Sequence, residues 1–514
     1  MVTQTSESMT VEDCDLCIVG AGICGLNFLF SASQYMSKED KVILVDRNLT
    51  PGGMWNETYP FVRLHQPHQM FTVGNFSWSL GKDRSYLATK DEVLNHFAEC
   101  IDRLRTKVTL IEHYGYAYEG HKEVPVDDGY RAVARLRATS SADHTLLIRT
   151  PKLVKAFGMQ VSGPKPLSLS SKNILSISPL ELDLLEQAPE DTPVYVVGGG
   201  KTGMDTAHTV LTRYPAREVN LIIGKGTIFW NRENAFPTGL KRWVGGTMSM
   251  PSFLELSLRF DGTNEVELNN YMKREYTLSL TDRCENFVSG ILSEKENTFI
   301  KEKVNDVVED YLVDIVDVDD RPVLKLWNGE DREVEPGSYV IGCTGFLLRD
   351  NHPYEPYISE NGTTVSIQST SAVYLFQSFS GYWLGQLLLT GNLNRVPLYA
   401  LDNQSLFARN KKAFTFAWMT QLLYNTLLIM DAVPTKAFKD CGLNFDNWYP
   451  LYRQFPFLLN VKMKKRSYLN HFRRSLDRVC EREQIRGGPL TGIRNSTTAS
   501  NNTHGKELEF SQYE

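Results

Sequence analysis

A glycine-rich turn occurs twice in this chain, each time between an apolar run and the start of a helix. The first copy is Gly20-Ala21-Gly22-Ile23-Cys24-Gly25, and the second is Gly198-Gly199-Gly200-Lys201-Thr202-Gly203. In a G-x-G-x-x-G turn, the first glycine reverses the chain, the second admits a pyrophosphate, and the third lets helix and strand pack closely. The helix N-terminus then offers N–H groups to the phosphates. The repeat therefore predicts an α/β protein with two Rossmann-like dinucleotide-binding domains.

The first turn is followed at the usual distance by an acidic residue. The apolar run Lys41-Val42-Ile43-Leu44-Val45 ends in Asp46, and Arg47 comes next. An acid about twenty residues after the glycines can accept hydrogen bonds from ribose hydroxyls. We therefore predict that Gly20, Gly22, Gly25, Asp46 and Arg47 bind a dinucleotide; the alternative is a purely structural βαβ turn.

The second turn, with Gly198, Gly200 and Gly203, is followed by cations instead. Its next strand, Val219-Asn220-Leu221-Ile222-Ile223, ends in Gly224-Lys225, with Arg232 a few residues on. A cation at this position suits a 2′-phosphate, so NADPH is favoured over NADH. The alternative for Lys225 is a solvated surface lysine.

An irregular segment between residues 50 and 71 has the composition of a ligand-binding loop. It contains Gly53 and Trp55, then Arg63, His65 and Gln66 among further aromatic and amide side chains. Long loops without helix or strand periodicity are often functional. Aromatic rings and amides can pack on a flat heterocycle and bond its edge. The alternative is that they cap a domain edge.

Length and composition exclude several classes of protein. A chain of 514 residues needs two or three domains, and a net charge of −6 gives no reason to expect nucleic acid or an anionic membrane as partner. No secretory signal is visible, and eight scattered cysteines suit a reducing, cytoplasmic setting. No metal site is expected.

The last third carries few chemical markers. The apolar segment 414–433 is interrupted by Gln421, Asn425 and Asp431, which favours a buried helix over a membrane span. A basic stretch is interpreted as a solvated helix face, with membrane or partner docking as the alternative; it contains Lys462, Lys464, Lys465, Arg466, Arg473 and Arg474.

These patterns predict a second nucleotide domain inserted in the first. We expect residues 1–160 and the return segment 336–400 to form the first domain and residues 161–335 to form the second. A helical region would occupy 401–486 and a disordered tail 487–514. The return segment would begin with the apolar run 338–342, followed by Cys343-Thr344-Gly345-Phe346.

The order of motifs resembles that of the class B flavin-dependent monooxygenases, which include flavin-containing and Baeyer–Villiger monooxygenases. The matching pieces are the two glycine turns, Asp46, Gly52-Gly53-Met54-Trp55, Tyr59-Pro60, Arg63 and Cys343-Thr344-Gly345-Phe346. They cover the chain to about residue 350. The family's linker segment F-x-G-x-x-x-H has no counterpart, since no histidine occurs between Phe157 and Pro166.

The resemblance implies FAD in the first domain, NADPH in the second, and insertion of one atom of O2 into a small organic substrate through a peroxyflavin. Arg63 and His65 would then lie near the flavin as catalytic residues, with His65 tuning protonation near neutral pH. Thr344 and Gly345 would pass close to the cofactor. Neither the substrate nor the oligomeric state follows from the sequence.

Three other classes share part of this pattern. A reductase or dehydrogenase would transfer hydride without inserting oxygen, and a non-catalytic scaffold would bind FAD alone. A disulfide reductase needs a redox cysteine pair beside the flavin. The C-x-x-C pair here, Cys14 and Cys17, falls within the first predicted strand, where residues three apart are expected to point to opposite faces.

Overall fold

The computed structural model describes residues 8–140, 144–159, 163–344, 348 and 353–490. The strands are β1 Ser8–Asp13, β2 Leu16–Val19, β3 Lys41–Asp46, β4 Thr109–Tyr114, β5 Tyr116–Val126, β6 Gly129–Ala138, β7 His144–Thr150, β8 Leu153–Lys155, β9 Leu175–Ile177, β10 Val194–Val197, β11 Val219–Ile222, β12 Thr227–Asn231, β13 Thr277–Ser279, β14 Asn286–Leu292, β15 Asp306–Val308, β16 Leu312–Val318, β17 Arg321–Leu326, β18 Asp331–Glu333, β19 Tyr339–Gly342, β20 Thr364–Ser366, β21 Tyr399–Leu401 and β22 Gly487–Pro489.

The helices lie between and after these strands. They are α1 Ile23–Ala32, α2 Lys90–Arg105, α3 Lys201–Arg213, α4 Arg232–Ala235, α5 Lys241–Val244, α6 Ser249–Arg259, α7 Glu265–Tyr276, α8 Glu294–Lys303, α9 Gln377–Leu389, α10 Asn403–Arg409, α11 Lys411–Ile429, α12 Thr435–Asp440 and α13 Leu451–Glu483. Short 3-10 helices occur at Gly53–Asn56, His68–Met70, Pro179–Gln187, Ser369–Ser371 and Phe445–Trp448.

The first glycine turn belongs to a parallel sheet of five strands in the order β20-β8-β2-β3-β4. Strands β2 and β3 are almost wholly buried, as expected for a parallel sheet covered on both faces. Helix α1 follows the turn and packs along α9, where a Cβ on Gly381 would overlap the backbone of Cys24. A glycine at this position therefore lets the two helices approach closely.

The second glycine turn belongs to another parallel sheet of five strands, in the order β15-β11-β10-β19-β9. The chain leaves the first sheet after β8, builds this sheet, and returns with β20, which pairs with β8. The structure is therefore mixed α/β, with one parallel-sheet domain inserted in the other, as predicted. The boundary at residue 336 is wrong, because β19 lies in the second sheet beside β10 and only β20 returns to the first.

Helices dominate the C-terminal region, as predicted. Most of α11 is buried, including its polar residues Gln421 and Asn425, whose amides bond backbone carbonyls such as that of Tyr399. Within the described residues, no helix combines the length and apolar character needed to cross a membrane. The tail predicted to be disordered from Gly487 begins with β22, which pairs with β21; residues 491–514 lie outside the described part of the chain.

The cysteine pair differs from the prediction. Cys14 lies in the break between β1 and β2 instead of within a strand, so the backbone turns between the two residues. As a result, Cys14 and Cys17 share one buried apolar cluster and their thiols interact. Their burial among Ile43 and Val45 separates both sulfurs from solvent.

Candidate active site

The first glycine of each turn is required by backbone geometry. Gly20 and Gly198 have φ of +116° and +130°, values at which a side chain is strained. A Cβ at either position would also overlap a backbone carbonyl, that of Ala156 for Gly20 and that of Cys343 for Gly198. Each turn is thus pressed against the end of a neighbouring strand.

The third glycine of each turn is required by packing. A Cβ on Gly25 would overlap the carbonyl oxygen of Gly20, and a Cβ on Gly203 would overlap that of Gly198. Without side chains at these positions, α1 and α3 begin directly against the strands that precede them. The two turns therefore have the same local geometry.

The middle glycines, Gly22 and Gly200, are the N-cap residues of α1 and α3 in extended backbone that any residue adopts. No side chain caps either helix within the described residues. A Cβ on Gly200 would meet no protein atom within 4 Å, whereas a Cβ on Gly22 would lie 3.3 Å from the Cα of Gly53. Packing within the protein therefore gives no reason for glycine at Gly200, and the space over its backbone is open.

Asp46 lies beside the first turn, at the end of β3. Its carboxylate accepts hydrogen bonds from the N–H of Ala21, at 2.6 Å, and from the N–H of Asn48, at 2.8 Å. Burial raises the pKa of this carboxyl. Each oxygen keeps acceptor capacity for a further donor. Arg47, by contrast, is exposed and pairs with Glu57.

The loop after β3 covers the first turn. Gly53 contacts Gly22, and the backbone N–H of Gly52 bonds the carbonyl of Ala21 at 3.0 Å. Trp55 packs on Phe71, with ring centroids 5.7 Å apart. This arrangement brings the predicted loop residues to the predicted nucleotide site.

The side chain of Gln66 is buried in this loop. It is 6% exposed, and within the described residues its Oε1 has no hydrogen-bond donor. A buried amide oxygen without a partner costs about 1–3 kcal/mol. The side chain is therefore poised to accept a hydrogen bond from a ligand.

The two domains meet at a group of polar residues, most of which sequence reasoning missed. The hydroxyl of Tyr59 donates to Asp205 at 2.8 Å. Lys201, the first residue of α3, forms an ion pair with the same carboxylate. Arg232 pairs with Glu296 at 2.8 Å. The spacing of four between Lys201 and Asp205 is a signal for such a pair; no sequence pattern brings Tyr59 or Glu296 to them.

His65 belongs to the same group. Its Nδ1 accepts a hydrogen bond of 3.2 Å from the N–H of Ile291, on β14 of the second domain. Burial, and then the charges of Lys201 and Arg232, lower the pKa of His65 to about 3. The expected titration near neutral pH is therefore wrong: the imidazole is neutral there and acts as an acceptor between the domains.

Two predicted arginines, Arg63 and Arg232, have hydrogen-bond partners within the protein. Arg63 is exposed and donates to the carbonyl of Leu87 at 3.1 Å, away from the partners of His65. Arg232 bonds the carbonyl of His65 at 2.8 Å in addition to Glu296, so only its Nη2 lacks a partner among the described residues. Because Arg232 is bonded to both His65 and Glu296, its guanidinium is not free to bind a phosphate.

Lys225 is exposed directly after β11, where the prediction placed a cation. Thr344 follows β19 at the edge of the described chain, and Gly345 lies outside the described residues. Cys343 is buried, which raises the pKa of its thiol to about 12, so it is a packing residue in this fold.

Comparisons with known proteins return distant similarities. No protein-family model matches the chain. Two uncharacterized proteins, Rv2000 of Mycobacterium tuberculosis and Mb2023 of Mycobacterium bovis, are each 26% identical to it over 210 residues. The alignment covers 38% of this chain and only 35% of either relative.

Several solved structures of enzymes resemble the chain distantly. A steroid monooxygenase bound to NADP is 13% identical, with a TM-score of 0.45 over 74% of this chain and 85% of that one. The ornithine hydroxylase PvdA of Pseudomonas aeruginosa is 10% identical, with a TM-score of 0.46 over 73% and 99%. A bacillithiol disulfide reductase of Bacillus cereus is 11% identical, with a TM-score of 0.41 over 74% and 100%. Similarity at this level assigns no activity to this chain.

The state of His65 leads to a prediction about pH dependence. With a folded pKa of about 3, the imidazole holds no proton at neutral pH. His65→Gln keeps an acceptor for Ile291, so for the flavin reduction by NADPH that is proposed below we expect the pH profile to keep its shape between about pH 5 and 8. Stopped-flow reduction across that range checks this. Loss of an ionisation near pH 6.5 in the variant would restore His65 as a titrating catalytic group.

Proposed function

We propose that this chain is an FAD-dependent oxidoreductase that takes hydride from NADPH and uses O2 to oxygenate a small organic substrate. One observation carries the proposal: two glycine turns of the same geometry begin helices in two parallel-sheet domains that touch through Tyr59–Asp205 and His65–Ile291. Hydride transfer from nicotinamide to flavin needs two nucleotides bound end to end, and two such domains could hold them in that arrangement.

The first domain has the groups that FAD would require. The N-terminus of α1 at Gly22 would hold the pyrophosphate and Asp46 a ribose hydroxyl. The unpartnered Oε1 of Gln66 would accept from a ring N–H of the flavin, which resolves its missing hydrogen bond. When bound, FAD supplies the capacity to accept hydride and to pass electrons to oxygen.

The second domain has the groups that NADPH would require. The open space over Gly200 admits a pyrophosphate to the N-terminus of α3. Lys225 is exposed where a 2′-phosphate would lie, at the end of β11. We assign the phosphate to Lys225 and give Arg232 the role of holding the two domains together through His65 and Glu296.

The residues between the sites would orient the reactants. His65, neutral and bonded to Ile291, fixes the loop of the first domain against the second. Lys201 and Asp205, paired at the start of α3, would hold this end of the helix against Tyr59 of the first domain. The role of Arg63 as a cation near the flavin stays a prediction, since its exposed side chain bonds the carbonyl of Leu87. All eight cysteines are free and buried, which suits the cytoplasmic setting that we include in this proposal.

The test is anaerobic mixing of FAD-loaded protein with NADPH, followed by oxygen. Loss of the flavin band at about 450 nm shows hydride transfer. Reoxidation that consumes O2 without releasing a matching amount of hydrogen peroxide, in the presence of a substrate, shows oxygenation. If the flavin bleaches but 18O from labelled O2 enters no added amine, sulfide or ketone, the result would favour a reductase that does not insert oxygen. If the flavin does not bleach, the result would favour a non-catalytic FAD-binding scaffold.

Lys225→Ala tests the assignment of the 2′-phosphate. Because its ammonium is the exposed cation at the end of β11, we expect KM for NADPH to rise about tenfold while KM for NADH stays the same. Steady-state oxidation of both nucleotides measures this, with Lys301→Ala on the outer surface of α8 as control. An equal change for both nucleotides would remove Lys225 from the phosphate site.

A further inference from the structure

Part of the surface is apolar without a covering element among the described residues. The first turns of α13 expose Leu451, Phe455 and Met463 to 79%, 64% and 68% of their full areas, and Tyr452 and Leu459 are exposed beside them. These residues recur at helical spacing, so they form one outward stripe. Ordinary surface helices keep such a stripe turned toward the core.

Helix α5 extends this stripe. Leu240 and Val244 are each 84% exposed, and Trp243 is exposed between them. The hydroxyl of Tyr452 donates to the carbonyl of Trp243, and Arg453 donates to the carbonyl of Arg242 at 3.2 Å. These bonds hold α5 against the start of α13. The α5–α13 face consists of Leu240, Trp243, Val244, Leu451, Tyr452, Phe455, Leu459 and Met463.

Positive charge surrounds the α5–α13 face. Between Leu451 and Leu476 the sequence has seven Lys or Arg residues and no Asp or Glu. Lys462, Lys464 and Arg466 are exposed on α13, and within the described residues they form no ion pair. This local excess occurs in a chain whose net charge is −6, so acidic residues predominate in the rest of the sequence.

We propose that the α5–α13 face docks on the surface of an anionic phospholipid bilayer. Protruding leucine, phenylalanine, tryptophan and methionine side chains would enter the boundary between headgroups and acyl chains, while lysine and arginine would bind the phosphates. Tryptophan and tyrosine prefer this boundary. The protein would lie on the membrane without crossing it. This proposal is independent of the reaction proposed above.

The charges favour lipid over a second copy of the chain. In a symmetric dimer the same patch meets itself, which would set Lys462, Lys464 and Arg466 against their own counterparts. Like charges across an interface oppose association. An anionic bilayer satisfies both the apolar and the basic components of the face.

Co-sedimentation of the full chain with vesicles tests this proposal. We expect binding to vesicles of phosphatidylcholine mixed with phosphatidylglycerol, little binding to phosphatidylcholine alone, and release by salt. The triple variant Leu451→Gln, Phe455→Gln, Met463→Gln should bind at least about tenfold more weakly. The matched control, Val313→Gln with Trp327→Gln, removes exposed apolar residues from another surface and should bind like the wild type.

A second variant separates the charge contribution. Replacing Lys462, Lys464 and Arg466 with Gln should weaken binding on the order of fivefold for each charge removed and reduce its salt dependence. Its control replaces Lys301 and Lys303 of α8. Equal binding to both kinds of vesicle, unchanged binding of the triple apolar variant, or no binding at all would overturn the proposal. So would self-association that the apolar variant abolishes in the absence of lipid.

Discussion

Replacing Gly200 with Val is expected to lower kcat/KM for NADPH on the order of 100-fold, the largest functional effect of any single change considered. A Cβ at this position meets no protein atom within 4 Å, and the backbone there is extended. The fold therefore tolerates the side chain, with a change in the free energy of unfolding of at most about 1 kcal/mol. A bound pyrophosphate would not tolerate it. Anaerobic flavin reduction and thermal unfolding measure the two effects separately.

Gly203→Ala is the matched control for this change. Its Cβ would overlap the carbonyl oxygen of Gly198, so we expect a loss of about 3 kcal/mol or more in stability, with activity falling because the domain unfolds. If Gly200→Val kept wild-type kinetics with NADPH, the second turn would be a structural βαβ turn, and the proposed function would fail with it.

Gln66→Leu is expected to weaken FAD binding by about tenfold to 100-fold without destabilising the apoprotein. The amide oxygen of Gln66 is buried and unpartnered within the described residues, so an apolar side chain of similar size removes an unsatisfied acceptor. The only loss is then the hydrogen bond to the ligand. Titration of apoprotein with FAD, followed by flavin fluorescence, measures the affinity.

Gln421→Leu supplies the contrast. Among the described residues the Oε1 of Gln421 is likewise buried and unpartnered, but its Nε2 donates to the carbonyls of Ala372 and Tyr399 at 2.6 and 2.8 Å. Its loss should lower stability by about 1–3 kcal/mol, because two hydrogen bonds are lost, although each carbonyl keeps a second donor from Leu401 or Asn425. Should Gln66→Leu instead destabilise the apoprotein and leave FAD affinity unchanged, Gln66 would be a structural residue.

The sequence was sufficient for features set by local patterns. The sequence Thr89-Lys90-Asp91-Glu92 is typical of a helix start, and α2 begins there with a complete capping box, in which Thr89 and Glu92 bond each other's backbone. The buried helix α11 and both glycine turns follow from the same kind of reasoning. In each case a short stretch of chain determines the geometry.

Features that depend on distant residues were not predictable in the same way. The sequence of β19 is that of a buried parallel strand, and such a strand has the same apolar composition in either sheet. Its assignment to the first domain was therefore wrong, because it pairs with β10. The neutral state of His65 depends on Lys201 and Arg232, which the second domain supplies. Net charge likewise averages over the whole chain and conceals the basic surroundings of α13.

The C-terminal region contacts both parallel-sheet domains. Gly442 bonds Gly74 of the first domain at 2.9 Å, while Lys412 of α11 pairs with Glu285 of the second at 2.6 Å. The two strands β8 and β20 that carry the chain between the domains are neighbours, and by themselves they would leave the inserted domain free to swing. These contacts of the C-terminal region therefore join the two domains and limit their relative motion. Any change in the distance between the two glycine turns must therefore also shift these C-terminal contacts, so the last third of the chain helps to set that distance.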